Sequence, residues 1–198
     1  MQAERRTAPL KRPATILVIA AAAILILDQI TKAIVVSSMS EGQSIPVIDG
    51  VLHWTFVRNP GAAFSLFTQV PWLFTILASA ISIWIVWQVR TLRSIPQAWC
   101  FGVILGGALG NLVDRFLRAP GGPSGYVVDM IDLRVWPVFN VADMGVTLGA
   151  LALVIVSWRE ERQQKTATGL EEEDRQETPD HEERDHLPEA PDREGPEG

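Results

Sequence analysis

Gly102-Val103-Ile104-Leu105-Gly106-Gly107-Ala108-Leu109-Gly110-Asn111-Leu112-Val113-Asp114-Arg115 is the stretch on which the fold turns. Gly102, Gly106 and Gly110 recur every fourth residue, so they share one face of a helix and let a second helix approach closely. Toward the end of the same helix, Asn111 faces with Asp114 at i,i+3 and with Arg115 at i,i+4. The residues around this polar patch, Ala98–Leu117, are otherwise apolar over about 20 residues, the length that crosses a bilayer. The stretch therefore reads as a membrane helix with a packing stripe and a polar end.

Three further stretches have the same character: Ala14–Val36, Pro71–Val89 and Val138–Trp158. Together they predict an all-α membrane protein with four transmembrane helices. The mean hydropathy of +0.17 hides this, because the chain joins two unlike materials. Residues 159–198 carry 15 acidic and 6 basic residues, and the first 158 carry 8 acidic and 11 basic, so the net charge of −6 comes entirely from the tail. The organisation that follows is a basic cytoplasmic N-terminus (1–13), a four-span body (14–158) and an acidic cytoplasmic tail (159–198). The tail is too polar to bury a core and reads as disordered. Cys100 is the single cysteine, which excludes a disulfide scaffold, and two of the three histidines, His181 and His186, lie in the tail, which argues against a His/Cys metal site. No metal, cofactor or nucleic acid is expected.

Basic residues set the orientation. Arg5, Arg6, Lys11 and Arg12 precede the first span, Arg90 and Arg93 lie between the second and third, and Arg159, Arg162 and Lys165 follow the fourth. These regions share the cytoplasmic side, and the first and third loops, with Arg58, Arg118 and Arg134, lie outside. A basic start leading into Ala14–Leu27 is also how a secretory signal begins, but further spans follow it and no clear cleavage site separates them. In the first outer loop, Ile45–Ile48 and Val51–Val57 flank Asp49-Gly50, a tight-turn dipeptide, so a hairpin is predicted there. Ala62–Val70 reads as a short interfacial helix.

Asp28, Asp114 and Asp143 fall inside spans, where a charge at helix centre costs about 2.5–3.5 kcal/mol on insertion scales. Their depths agree. Asp28 and Lys32 lie at the outer end of the first span, Asn111, Asp114 and Arg115 at the outer end of the third, and Asn140 and Asp143 at the outer start of the fourth. Asp143 falls about 7–8 Å below Val138 if the helix starts there. Asp129 and Asp132 lie in the loop just before it. Taken singly, Asp28 and Lys32 form a self-neutralising i,i+4 pair and Asp114–Arg115 a helix-end anchor, but Asp143 has no basic residue within a turn on its own helix. Intramembrane carboxylates also mark ion paths, so a small proton-coupled transporter or channel subunit is one alternative, and an anchor for the acidic tail is another. A transporter wants polar groups through the full thickness, whereas the inner halves of the second, third and fourth spans are almost purely apolar. Nucleophilic catalysis has little support: Cys100 lies near the cytoplasmic end of its span, and Ser65, Ser79 and Ser82 have no evident His or Lys partner in the membrane.

Five blocks appear in order: Asp28-Gln29-Ile30-Thr31-Lys32, Arg58-Asn59-Pro60-Gly61-Ala62-Ala63-Phe64, Gly106 to Arg115, Val127-Val128-Asp129, and Phe139-Asn140-Val141-Ala142-Asp143. In this the chain resembles the lipoprotein signal peptidases (signal peptidase II), the aspartyl proteases of bacterial membranes, over roughly Ile16 to Trp158. The resemblance implies a four-helix membrane bundle with both termini cytoplasmic, and a small extracytoplasmic β-sheet cradle and short surface helix from the first outer loop. It implies an enzyme of the inner membrane, surrounded by lipid, that cuts diacylglyceryl-prolipoproteins just before the lipid-modified cysteine; a monomer is expected. It carries the catalytic pair onto Asp129 and Asp143, substrate binding onto Asn59, Asn111, Arg115 and Asn140, and supporting roles onto Asp28, Lys32 and Asp114. The chain departs from the pattern between Arg115 and Asp129, where Ala119-Pro120-Gly121-Gly122-Pro123-Ser124-Gly125 lengthens the interval. That leaves Asp114 as a second and Asp132 as a third candidate partner for Asp143.

Overall fold

The structure is a computed structural model that describes residues 11–61 and 71–177. The chain divides into two units, Met1–Val156 and Ser157–Gly198. In order come helix α1 (Lys11–Ser38), strands β1 (Ser44–Ile48) and β2 (Leu52–Asn59), helices α2 (Pro71–Gln88) and α3 (Ile95–Leu117), a 3-10 turn at Gly122–Ser124, strand β3 (Val127–Asp132) and helix α4 (Val141–Glu177). Arg12–Ser38, Ile95–Leu117 and Val141–Thr166 are long and apolar enough to cross a membrane, and Trp72–Gln88 is a shorter apolar helix. Large apolar side chains such as Ile19, Ile26, Ile83, Val86, Leu151 and Val154 face outward, which a membrane solvates and water does not. Hydroxyls in these helices return to their own backbone: Thr31 donates to Leu27 O and Asp28 O, Ser38 to Ile34 O and Ser82 to Ala78 O. That is how a polar side chain is tolerated in lipid.

The glycine stripe of α3 is a packing surface. A Cβ at Gly102 would stand 2.5 Å from Leu17 O, and one at Gly106 2.5 Å from Ala21 O, so α1 lies against α3 at backbone distance. α3 starts at Ile95, three residues earlier than predicted. Ser94 caps it by accepting the Gln97 amide at 3.3 Å, and Pro96 occupies the first turn, where its missing N–H matters least. Below the polar patch, Leu17, Ala21, Ile85, Phe101, Ile104 and Leu105 form an apolar core.

The predicted hairpin forms, with Gly50 at φ 72° in its turn and Ser44 opposite Thr55. The sheet is larger than the first loop alone supplies, however. β3, from the segment before α4, pairs antiparallel with β2 to give the order β1-β2-β3. A second core of Val35, Met39, Phe56, Val128 and Met130 seats this sheet on the end of α1. The predicted surface helix, Ala62–Val70, lies outside the described residues.

Both ends of α4 differ from the sequence reading. It starts at Val141, because Phe139 exchanges backbone hydrogen bonds with Ile131 and so extends the sheet. Asp143 is therefore in the first helical turn, not five residues down a helix that begins at Val138. At the other end the helix does not stop at Trp158 but continues to Glu177 through the stretch read as the start of a disordered tail. Arg159–Glu177 is dominated by Glu, Gln, Arg and Lys, which favour helix even where nothing can be buried. In the second unit, Glu161 and Lys165 pair at i,i+4 (2.7 Å), and the Arg162 guanidinium lies 3.9 Å from the Trp158 ring centre.

Candidate active site

Asn140 is the N-cap of α4 and Asp143 its third residue, and each satisfies the other. The Asp143 amide donates to Asn140 Oδ1 at 2.9 Å, and the Asn140 amide donates to Asp143 Oδ2 at 3.2 Å. This is a capping box with asparagine and aspartate in place of the usual serine and glutamate. The next free amide of the helix end, Ala142 N, donates to Asp28 Oδ1 from α1 at 2.9 Å. Fixing the cap carbonyl toward Asp143 N turns the Asn140 amide nitrogen the other way. It donates to Asp129 Oδ1 at 2.6 Å and to Asn111 Oδ1 at 3.2 Å.

The other two asparagines are oriented by the same logic. Asn59 Oδ1 accepts the amide of Gly61, whose φ of 117° turns the chain back, so Asn59 Nδ2 faces Asp129 Oδ2 at 2.8 Å. Asn111 Oδ1 accepts from Lys32 Nζ at 3.1 Å, so Asn111 Nδ2 faces Asp143 Oδ1 at 2.8 Å. In each case a donor occupies the amide oxygen and leaves the NH2 for a carboxylate. Both oxygens of Asp129 and both of Asp143 accept hydrogen bonds.

Asp28, Lys32 and Asp114 form the layer beneath. All three are 0% exposed, with Lys32 Nζ 2.8 Å from Asp28 and 3.1 Å from Asp114. Asp114 also accepts the Val128 amide at 2.9 Å and Arg118 Nε at 2.7 Å, which joins α3 to β3 one residue before Asp129. Gly110 makes room for this layer, since a Cβ there would stand 2.6 Å from Asp28 Oδ2. A buried ion pair is stable only when its remaining lone pairs and protons are satisfied, and here they are: among the described residues no buried side-chain polar atom lacks a partner.

A cavity of about 360 Å³ opens beside this network. Asp129, Asp143, Asn59, Asn111 and Arg115 line it, and Phe74, Ala78, Ile81 and Val146 supply apolar walls. Asp28, Lys32, Asp114 and Asn140 do not line it. Asn140 is 0% exposed, and it bonds both carboxylates. Arg115 donates from Nη1 to Gly125 O at 2.7 Å. Burial pushes the Asp129 carboxyl up from 3.8 to about 7; the charge of Asp143 adds to this, and hydrogen bonds from Asn59 and Asn140 oppose it.

The two fallback carboxylates are engaged elsewhere. Asp114 is enclosed by Lys32 and Arg118. Asp132 lies three residues along β3 from Asp129, hence on the opposite strand face, where Thr55 and Arg134 hold it. Gln29 and Arg118 were missed. Gln29 Nε2 donates to Asp28, Gly110 O and Asp114, tying α1 to α3. The i,i+4 spacing of Asp114 and Arg118 was the available signal for the second.

Apolar outer faces around an internal carboxylate–amide cavity define a membrane-embedded enzyme. The chain belongs to the signal peptidase (SPase) II family, whose family model matches residues 20–159, and is thus a protease. It is 47% identical over 154 residues to the lipoprotein signal peptidase of Mycobacterium avium, covering 76% of this chain and 85% of that one. It is 48% identical over 137 residues to that of Mycobacterium leprae, covering 69% and 68%. A bacterial membrane enzyme solved by the in meso method at 2.3 Å resolution superposes with a TM-score of 0.64 at 30% identity, over 73% of this chain and 88% of that one. A second, solved at 1.9 Å, gives 0.61 and 32%, over 71% and 90%.

Proposed function

We propose that this chain is an aspartic endopeptidase that removes signal peptides from prolipoproteins by cutting before the diacylglyceryl-modified cysteine, with Asp129 and Asp143 as its catalytic pair. The observation that carries this reading is that two carboxylates from different segments, β3 and α4, face one cavity and are joined through Asn140 and Asn111. Peptide hydrolysis needs an activated water and a proton for the leaving amine. Two carboxyl groups sharing one proton supply both, because close like charges resist double ionisation. The ionised member takes a proton from water as it attacks the scissile carbonyl. The protonated member polarises that carbonyl and then delivers its proton to the amine. The pair titrates as a unit. Asn59 and Asn111 hold the carboxylates in place, and Arg115 offsets their charge and offers donors to an extended substrate backbone.

The reading includes a topology of four spans, with α2 as the fourth, and both termini cytoplasmic. The sheet and cavity then lie toward the extracytoplasmic face of the bacterial inner membrane, where a signal helix ends. The diacylglyceryl chains stay in lipid, against apolar walls such as Phe74 and Ile81, while the peptide bond reaches the pair. The protein works as a monomer, residues 14–158 form the catalytic body, and 159–198 are accessory. A transporter would need polar groups along a continuous path, but the apolar core around Phe101, Ile104 and Leu105 closes the other end.

The test is cleavage of a diacylglyceryl-modified prolipoprotein in detergent, with and without a chelator. Cleavage unaffected by the chelator and lost in both Asp129→Asn and Asp143→Asn is the expected result. Normal processing by either variant would remove that residue from the pair.

A further inference from the structure

The segment after α3 is stitched to that helix by two hydrogen bonds at one residue. Gly125 exchanges hydrogen bonds with Arg115, its amide donating to Arg115 O at 3.1 Å and its carbonyl accepting Arg115 Nη1 at 2.7 Å. The Tyr126 amide donates to Ala119 O at 3.0 Å, closing the loop on itself. At its far side the loop reaches α2, where Thr75 Oγ1 donates to Pro123 O at 2.6 Å. Thr75 is 3% exposed. Its hydroxyl behaves unlike those of Thr31, Ser37, Ser38 and Ser82, each of which donates to a carbonyl of its own helix. Thr75, on α2, and Arg115, on α3, both line the same cavity. One short loop is therefore bonded to both helices that wall the cavity, beside their direct packing through Ile85, Trp84 and Phe101.

We propose that residues 118–126 are a clasp between the two walls of the cavity, and that Thr75 is a positioning residue whose hydroxyl, bonded to the Pro123 carbonyl, sets the spacing between α2 and Arg115 at which the lipid-modified peptide is admitted. This rests on the catalytic reading above. Thr75 touches no reacting atom in this scheme. It acts through wall spacing, so its loss weakens substrate binding more than it slows the bond-breaking step.

The experiment compares wild type, Thr75→Val, Thr75→Ser and Gly125→Ala in detergent on a diacylglyceryl-modified prolipoprotein peptide, and follows amide exchange at residues 119–126. Thr75→Val keeps the shape and removes the donor. It should raise KM about five-fold with kcat within about two-fold, and Thr75→Ser should restore wild-type KM. Exchange at Gly125 and Tyr126 should quicken about ten-fold in Thr75→Val while α1 is unchanged. A Cβ at Gly125 would run into Arg115 O and Arg118 O, so Gly125→Ala releases the same loop from its other end. The double variant should then raise KM no further than the worse single one, because the loop is released once. Unchanged KM in Thr75→Val, a loss confined to kcat, failure of serine to rescue, multiplying effects in the double variant, or a Thr75→Val protein that does not fold would each overturn the proposal. Wild type that cleaves nothing would instead sink the catalytic reading, and the exchange rates would still decide whether the clasp exists.

Discussion

Asp129 is a carboxylate placed where ionisation is costly. It is 2% exposed, it faces the charge of Asp143, and its carboxyl is pushed up to about 7. If the pair works with one shared proton, activity needs that proton and should fall as pH rises through about 7. A pH profile of kcat/KM checks this, and a profile flat to pH 9 would contradict it. The same displacement has a consequence for stability. The folded pKa lies above the unfolded one, so the folded state holds the proton more tightly. Stability is full below about pH 4 and declines as pH rises through about 7, by an amount on the order of a few kcal/mol. Asp129→Asn cannot ionise and should flatten that decline in thermal unfolding measured across pH. It should also lower cleavage by about 10²–10⁴, the usual contribution of a general acid or base, as should Asp143→Asn.

Two junctions between elements hold the pair in place: the seam of α1 with α3, and the capped start of α4. At the seam, Lys32 stands between Asp28 and Asp114, all without exposure. Lys32→Met keeps the length of the side chain and leaves two buried carboxylates facing each other. It should destabilise by about 3–5 kcal/mol, seen as loss of folded protein in detergent, and a variant as stable as wild type would deny the seam its charge balance. Gly106→Ala tests the apolar part of the seam. Its Cβ would meet the Ala21 carbonyl at 2.5 Å, so backbone must move, at about 1–3 kcal/mol in unfolding free energy. The glycine spacing and the i,i+4 pair were plain in the sequence, because both are local periodicities. The start of α4 was not. Val138 and Phe139 look like helix by apolarity alone, and only the pairing of Phe139 with Ile131, a tertiary fact, makes them strand. β3 was missed for a related reason: Asp129 and Asp132 interrupt a short apolar run, and their burial depends on partners from β2, α3 and α4. The roles of Gln29 and Thr75 likewise arise from contacts across elements that spacing does not encode.

Among the described residues, the side chains that donate to the pair, Asn59, Asn111 and Asn140, all lie before Asp143, and the family match ends at residue 159. Charge follows the same division, since the acidic excess is confined to residues 159–198. Helix α4 blurs the boundary, because it runs on to Glu177. The part of it that carries large outward apolar side chains ends near Trp158. Val141 to Trp158 gives about 27 Å of helix at 1.5 Å per residue, close to the thickness of a hydrocarbon core. Truncation tolerance follows from burial and hydrogen bonding, and among the described residues Arg159 to Thr166 is mostly exposed, with pairs such as Glu161–Lys165 that stay within the segment. Deleting Arg159–Gly198 should therefore leave cleavage within about threefold of wild type, because the groups that bond the carboxylates among the described residues, Asn59, Asn111 and Asn140, all remain. The measurement is turnover of the lipid-modified peptide by a truncated protein that remains monodisperse in detergent. A folded truncation without activity would mean that the charged extension of α4 takes part in substrate handling, and the catalytic body would then extend past Trp158.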